Sequence, residues 1–275
     1  MKLVSTGKTI SSPEFYKKLR RRRKIKLILL CILLLSLLAG IIFLSRYEKL
    51  LIKEIVVADS GVVGKSEIIS VLEEKVSGNY LGIFPRRNAF IYPRFSVEEY
   101  LLAALPRFKS ASVRHAGFET LTVSVVERET YAVYCVDDND DSCYFIDEEG
   151  FIFDLSPSFT RGVYFVYYHA TTTEPVIGTY FVSPEEFTLF SQVLSSLTPL
   201  GIEPVSLNVK ARELEIMTSG GTKIIWPRES DPAFVYSNLE AFLNSEVIKA
   251  EDNFLERIIY LDLMTTNKIF YRFRE

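Results

Sequence analysis

One uncharged apolar run divides this chain: Leu27-Ile-Leu-Leu-Cys31-Ile-Leu-Leu-Leu-Ser36-Leu-Leu-Ala39-Gly40-Ile-Ile-Phe-Leu-Ser45. As a helix rising about 1.5 Å per residue, residues 27–45 would span about 28 Å, close to the hydrocarbon core of a bilayer. A buried core helix would carry a polar stripe, and only Ser36 interrupts this run. A cleaved signal peptide is the competing interpretation, but the run continues past Ala39 and Gly40, the small residues where cleavage would fall. We therefore predict an uncleaved transmembrane anchor.

The charges on either side of the run predict its orientation. Residues 1–26 hold ten basic residues and one acid, and the basic residues nearest the run are Arg20, Arg21, Arg22, Arg23, Lys24 and Lys26. Because positive residues stay cytoplasmic, we predict a cytoplasmic basic tail over residues 1–26, flexible in structure, and extracytoplasmic domains after the anchor. A nucleic-acid patch is the alternative, but a position directly against a span favours lipid headgroups.

The part of the chain beyond the anchor is acidic. The whole sequence holds 32 basic and 35 acidic residues, so removing the head leaves 22 basic and 34 acidic. This balance argues against nucleic acid as its partner. Its length is enough for two modest domains, and its many Tyr and Phe residues favour sheet.

The first predicted domain covers residues 50–128. Its elements are a strand over Leu51–Ala58, a helix from about Lys65 to Ser77, an irregular stretch over Asn79–Phe95, a helix from the capping box Ser96–Glu99 to Pro106, and strands over Lys109–His115 and Thr120–Glu127. The order is strand, helix, helix, strand, strand.

The second predicted domain covers residues 129–275 and is mixed β with two helices. The helices begin at Ser183 and Asp231, where side chains can cap them. An aromatic-rich strand is expected over 162–168, and the last two strands cover Arg257–Leu263 and Lys268–Phe273. The fold class is therefore α+β, with a single transmembrane helix before two domains.

Two cysteines fall on the predicted extracytoplasmic side. Cys135 and Cys143 close a predicted hairpin, whereas Cys31 lies within the span. Facing strands can bring Cα atoms close enough for a bridge, and disulfides persist outside the cytoplasm. We predict a disulfide; the alternative is two unbridged thiols on strands that differ in register.

The sequence offers no motif for catalysis. Its two histidines, His115 and His169, lie in predicted strands of different domains, and no metal-ligand spacing, phosphate loop or nucleophile elbow is present. A calcium loop starting at Asp137 lacks its glycine, since Ser142 stands there, and strands flank it. We predict no catalytic, metal or cofactor site and no small-molecule substrate.

Several motifs together resemble a known family. The element order after the anchor resembles a POTRA domain, and four segments resemble the FtsQ/DivIB cell-division proteins: Leu105–Arg114, Glu119–Arg128, the Asp-x-x-Gly hairpin of Tyr144–Phe153, and Ile259–Leu263 with its partner strand. The resemblance implies a non-catalytic bitopic scaffold at the division septum. It also implies docking of other bitopic division proteins, of the FtsB/DivIC and FtsL type, on the distal β domain.

The last strand is the predicted docking edge. No later element covers it in sequence, and Phe270 interrupts a charged face formed with Lys268 and Arg272, while Ile269, Tyr271 and Phe273 share the other face. The expected partner-binding residues are Tyr260, Asp262, Lys268, Phe270, Tyr271, Arg272 and Phe273. The alternative is an internal strand with Phe270 packed on a helix. Two other functions stay open: an interaction module of another envelope complex, such as a POTRA-bearing translocation component, and a membrane-anchored enzyme.

Overall fold

The computed structural model describes residues 13–58, 60–136, 143–157, 162–169, 176–251, 253–266 and 268–274. The chain divides into two compact units. The first comprises Met1–Ala58, Lys65–Glu98 and Ser112–Ser124, and the second comprises Asp59–Gly64, Glu99–Ala111 and Val125–Glu275. The structure is a mixture of α and β, with one long apolar helix near the N-terminus and one large sheet.

The apolar helix α1 extends over Pro13–Ser45, well beyond the predicted span of residues 27–45. Within the described residues it is the one helix long and apolar enough to cross a membrane, over Lys17–Ser45. The prediction of a flexible tail is wrong for residues 13–26, which are helical. Lys and Arg have good helix propensity, and extending an existing helix avoids the cost of nucleation. Residues 1–12 of the predicted tail lie outside the described part.

The elements after α1 follow the predicted order. They are β1 (Glu54–Val57), α2 (Lys65–Val76), β2 (Asn79–Tyr80), β3 (Phe84–Pro85), α3 (Arg94–Ala104), β4 (Phe108–His115) and β5 (Thr120–Glu127). β1, β5 and β4 form a three-stranded sheet in that order, with β1 parallel to β5 and Ile55 opposite Leu121. α3, β4 and β5 contribute residues to both units.

Two predictions between α2 and α3 need correction. The stretch 79–95, expected to be irregular, contains the short hairpin of β2 and β3, in which Tyr80 pairs with Phe84. α3 begins at Arg94, so Ser96 lies inside its first turn and is not its cap. Pro93 precedes the helix and its carbonyl accepts from the amide of Val97, so the proline sets the start.

The second unit contains a nine-stranded sheet. Its strands are β6 (Ala132–Cys135), β7 (Cys143–Ile146), β8 (Ile152–Ser156), β9 (Val166–Tyr168), β10 (Pro204–Val209), β11 (Glu213–Thr218), β12 (Lys223–Pro227), β13 (Ile258–Thr265) and β14 (Lys268–Phe273). The spatial order is β14-β13-β12-β11-β10-β9-β6-β7-β8. The sequence did not predict β10. The strand predicted over 162–168 is shorter in the structure, where β9 covers Val166–Tyr168.

Among the described residues, four α-helices follow within residues 184–257, where the sequence predicted two. The predicted pair is present as α4 (Pro184–Leu197) and α5 (Pro232–Leu243), capped by Ser183 and Asp231. The additional helices, α6 (Glu246–Lys249) and α7 (Phe254–Arg257), are single turns, too short for apolar periodicity to reveal. The core joins helix residues such as Phe187 and Leu239 to one face of the sheet, including Leu207, Ile224 and Leu261.

A tight turn between β7 and β8 is held by a buried carboxylate. Asp147 Oδ1 accepts from the amides of Glu149 and Phe151 at 2.9 and 3.0 Å, and Asp147 Oδ2 is paired with the guanidinium of Arg128. Gly150 has φ +78°, and a Cβ there would lie 3.0 Å from the ring of Phe187. The Asp-x-x-Gly pattern is therefore required by the turn and by the close packing of the helix α4.

Cys135 and Cys143 form a disulfide between the facing ends of β6 and β7, with Cα atoms 4.4 Å apart. Residues 137–142, which join these strands and include the calcium-loop candidates Asp137, Asn139 and Asp141, lie outside the described residues.

Replacing both cysteines with serine should lower the free energy of unfolding by about 2–3 kcal/mol, because so short a loop constrains the unfolded chain modestly. Urea unfolding of both forms measures this. Two free thiols by mass spectrometry, in protein isolated without reductant, would contradict the pairing.

Candidate partner-binding edge

β14 is the outermost strand on one side of the nine-stranded sheet. It pairs antiparallel with β13, placing Phe270 opposite Asp262, Tyr271 opposite Leu261 and Arg272 opposite Tyr260. Among the described residues no further strand pairs with β14. One side of its backbone is thus available for β-strand addition, in which main-chain hydrogen bonds supply affinity.

The opposite edge of the sheet differs, because a loop pairs with the start of its outermost strand, β8. β8 receives a hydrogen bond from the amide of Gly178 to the carbonyl of Ile152, and Ile152 donates to the carbonyl of Thr179, both at 2.8 Å. Phe151 also forms a bridge with Tyr180. The two edges of the same sheet therefore offer a matched comparison.

One face of β14 packs on the helices. The ring of Tyr271 lies 5.8 Å from Phe242 and 5.1 Å from Phe254, measured between centroids. Phe273 lies 6.0 Å from Phe254 and beneath the guanidinium of Arg257. Tyr271 and Phe273, both expected to bind the partner, thus also hold β14 on its own domain.

The other face of β14 carries the exposed aromatic. Phe270 is 50% exposed, so it does not pack into the core as a residue of an internal strand would. The register puts Tyr260, Asp262 and Arg272 on the same face, and Lys268 follows by alternation. Five of the seven expected residues therefore share one face, where the two aromatic residues Tyr260 and Phe270 lie among three charged ones. Asp262 Oδ1 accepts from the amide of Met264 at 2.8 Å, so part of its role is local.

Both ends of the hairpin of β13 and β14 are fixed by hydrogen bonds. Asn238 of α5 donates to the carbonyl of Thr266 at 3.1 Å, and Arg274 donates to the carbonyls of Ile258 and Gly220 at 3.0 and 2.8 Å. An edge held at both ends loses little conformational entropy when a partner strand is added.

Sequence reasoning missed a small cavity beside the same hairpin. Its volume is about 100 Å³, and its apolar lining comes from the turn and from α5, including Phe234, Val235, Met264 and Ile269. Phe234 and Met264 are also exposed. In the sequence, the one sign of this cavity is that Phe234, an apolar residue, falls outside the apolar stripe of α5.

The same sheet face carries a compact ion cluster farther from the edge. Glu215 of β11 accepts from Lys210 at 2.8 Å and from Lys223 at 3.2 Å. Burial raises the pKa of the Glu215 carboxyl, but the hydrogen bonds from the two lysines outweigh burial and lower this pKa overall. These ion pairs compensate charge within the cluster. The aromatic side chains at the edge are therefore the most distinctive feature of this sheet face.

The two histidines lie apart from this edge. His115 ends β4 and meets the ring of Tyr92 at 4.7 Å. His169 follows β9, where burial, and then the nearby Arg228, lower the pKa of its imidazole. Within the described part of the chain, no group of three or more His, Cys, Asp or Glu side chains could hold a metal ion. Comparison of this chain with protein-family models and with curated proteins finds no match.

Proposed function

We propose that this chain is a single-pass membrane scaffold of the bacterial division machinery, of the FtsQ/DivIB type. The observation that carries the proposal is β14, an outermost strand with which no further described strand pairs and which carries a half-exposed phenylalanine among charged residues. In this proposal the scaffold is not an enzyme. It recruits partner proteins at the septum and links them to septal peptidoglycan synthesis.

The arrangement of the chain supports this assignment at two further points. The helix α1 is followed by the element order β1, α2, α3, β4, β5, which is the order of a POTRA domain when β2 and β3 are taken as an insertion. The basic residues Arg20–Lys26 lie in the first half of α1, and their charge favours a cytoplasmic N-terminus and contact with lipid headgroups.

Partner binding would proceed by addition of a strand to β14. The backbone of the partner would continue the ladder, and its side chains would alternate between the two faces. On one face they would meet Phe270 between the positive charges of Lys268 and Arg272, and on the other the rings of Tyr271 and Phe273. This surface would fit a short extended segment with acidic and apolar residues, and in this proposal partners of the FtsB/DivIC and FtsL type supply it.

The second candidate is an interaction module of another envelope complex, such as a translocation or assembly component. The same edge strand would serve it, so only the identity of the partner separates the two functions.

Photo-crosslinking in cells separates them directly. A photoreactive residue at Phe270 should capture small bitopic division proteins, identified by mass spectrometry. The same residue at Leu155, which is exposed on β8 at the opposite edge, is the control. Capture of envelope-assembly proteins at Phe270 would favour the second candidate. Equal capture at both positions would remove the case for β14.

A further inference from the structure

An exposed apolar surface lies between α2 and α3 and is not used by the proposed partner site. Leu81 is 91% exposed and Phe90 is 71% exposed, and Ile83 and Phe95 are also exposed. The ring of Phe90 lies 5.5 Å from that of Phe118, which is exposed as well. Several exposed apolar side chains within one short stretch of chain are typical of a surface that meets another apolar phase.

Hydrogen bonds hold this surface against the end of α1. Asn88 Nδ2 donates to the carbonyl of Ser45 at 2.8 Å, and the Arg46 guanidinium donates to the carbonyl of Ile83 at 3.2 and 3.1 Å. Ser45 and Asn88 are both buried. The last residue of the apolar run is therefore fixed to the stretch that carries Ile83 and Phe90.

The backbone adds two further ties in the same place. The amide of Ala89 donates to the carbonyl of Leu50 at 2.9 Å, and the amide of Ile52 donates to the carbonyl of Arg87 at 2.8 Å. If α1 spans a bilayer, the end of its apolar run marks the boundary of the hydrocarbon core. The stretch 79–95 is then held at the membrane interface.

Leu81 supplies an independent observation. It has φ +50° at the turn between β2 and β3, a left-handed conformation that is uncommon for residues other than glycine. A branched apolar side chain in this conformation and in full contact with water is doubly unfavourable. Insertion of Leu81 among acyl chains would remove the contact of its side chain with water, and the energy gained by burial would offset the cost of the left-handed backbone.

The charges around these side chains complete the pattern. Arg46 and Arg94 are exposed, and Arg86 and Arg87 are half-buried, all within the same unit as the apolar residues. Arg94 pairs with Glu98 at 3.4 Å and Arg87 pairs with Glu73 at 3.5 Å, so Arg46 and Arg86 supply the net positive charge. Each basic side chain near an anionic membrane contributes on the order of 1 kcal/mol of attraction. Apolar and aromatic side chains mixed with arginine are typical of segments that lie in the headgroup region.

We propose that Leu81, Ile83 and Phe90, together with Arg46 and Arg86, form a membrane-facing surface that lies in the headgroup region of the bilayer spanned by α1. The occupant of this surface is anionic lipid. The proposal rests on the membrane insertion of α1 that the proposed function includes, and it is independent of the partner at β14. The surface would fix the orientation of the first unit on the membrane.

Tryptophan quenching by brominated lipid tests this in the full chain reconstituted in nanodiscs. Trp226 is the one tryptophan of the sequence and is buried, so it is a constant background and reports the fold. The probes are Leu81→Trp and Phe90→Trp. The matched control is Glu67→Trp, exposed on the first turn of α2 and about 14 Å along the helix axis from Val76. Leu38→Trp reports insertion of α1.

Shallow brominated lipid should quench the added tryptophan of Leu81→Trp and Phe90→Trp roughly twofold more than that of Glu67→Trp, because interfacial side chains lie about 5–10 Å deep. Quenching should be stronger in phosphatidylglycerol than in phosphatidylcholine nanodiscs. If Leu38→Trp is quenched while both probes match Glu67→Trp, the membrane-facing surface is wrong and the anchor stands. If Leu38→Trp is not quenched, both the membrane insertion of α1 and the membrane-facing surface are wrong.

Discussion

Replacing Phe270 with glutamate should abolish partner recruitment while leaving the fold and the membrane insertion intact. The side chain is half-exposed on an outermost strand, so the substitution removes no core packing. It does remove the aromatic anchor of the docking face and alters the charge between Lys268 and Arg272. Loss of a central aromatic anchor typically costs an interface about 2 kcal/mol or more, which is a fall in affinity of roughly 30-fold.

Co-purification of partners from detergent-solubilised membranes measures this effect. The matched control is Leu155→Glu on β8, an apolar residue of similar exposure on the opposite edge strand of the same sheet. Recruitment by Leu155→Glu should equal that of the parent chain. Recruitment by Phe270→Glu at the parent level would place the docking surface elsewhere.

Tyr271→Glu is a different experiment, although both residues are expected to bind the partner. The ring of Tyr271 contacts Phe242 and Phe254 although 36% of the residue is exposed, so glutamate there would remove these ring contacts and place a carboxylate beside apolar rings. That variant should lose stability as well as recruitment. Of the two variants, only Phe270→Glu tests recruitment without a loss of stability.

The elements that the sequence predicted well are those with strong local signals. α4 and α5 begin at capping residues, Ser183 and Asp231, whose side chains accept from backbone amides in the structure. β14 follows from the spacing of Ile269, Tyr271 and Phe273 on one face, an alternation that Phe270 alone interrupts. In these cases the information lies within a few residues, so the sequence alone is sufficient.

The elements that the sequence missed depend on distant parts of the chain. β10 begins at a proline and is defined by pairing with β9 on one side and β11 on the other. The exposure of Phe270 depends on which elements cover each sheet face, and the cavity beside Phe234 and Met264 depends on how α5 meets the hairpin. No local pattern encodes these long-range contacts, which are settled by tertiary packing.

Replacing Asp147 with alanine should have the largest effect on stability of the changes considered for this chain. Its side chain is only 4% exposed and accepts from two backbone amides of its turn while neutralising Arg128. Arg128 is itself nearly buried, lies 4.0 Å over the ring of Phe151 and donates to the carbonyl of Pro106 at 3.1 Å. Removal of Asp147 would therefore leave a largely buried positive charge unpaired, at a cost of about 3–5 kcal/mol.

Two further substitutions, one at the same position and one at the next residue, separate the causes of this loss of stability. Asp147→Asn keeps an oxygen that can accept from the amides of Glu149 and Phe151, so it should cost less than alanine, and the difference measures the contribution of the turn. Glu148→Ala, one residue away, removes only an exposed ion pair with Lys109 and should change stability by less than about 1 kcal/mol. Urea unfolding at neutral pH measures all three. A cost for Asp147→Ala no larger than that of Glu148→Ala would show that the Arg128 charge finds water or another partner. The Asp-x-x-Gly turn would then owe its form to Gly150 and Phe187 alone.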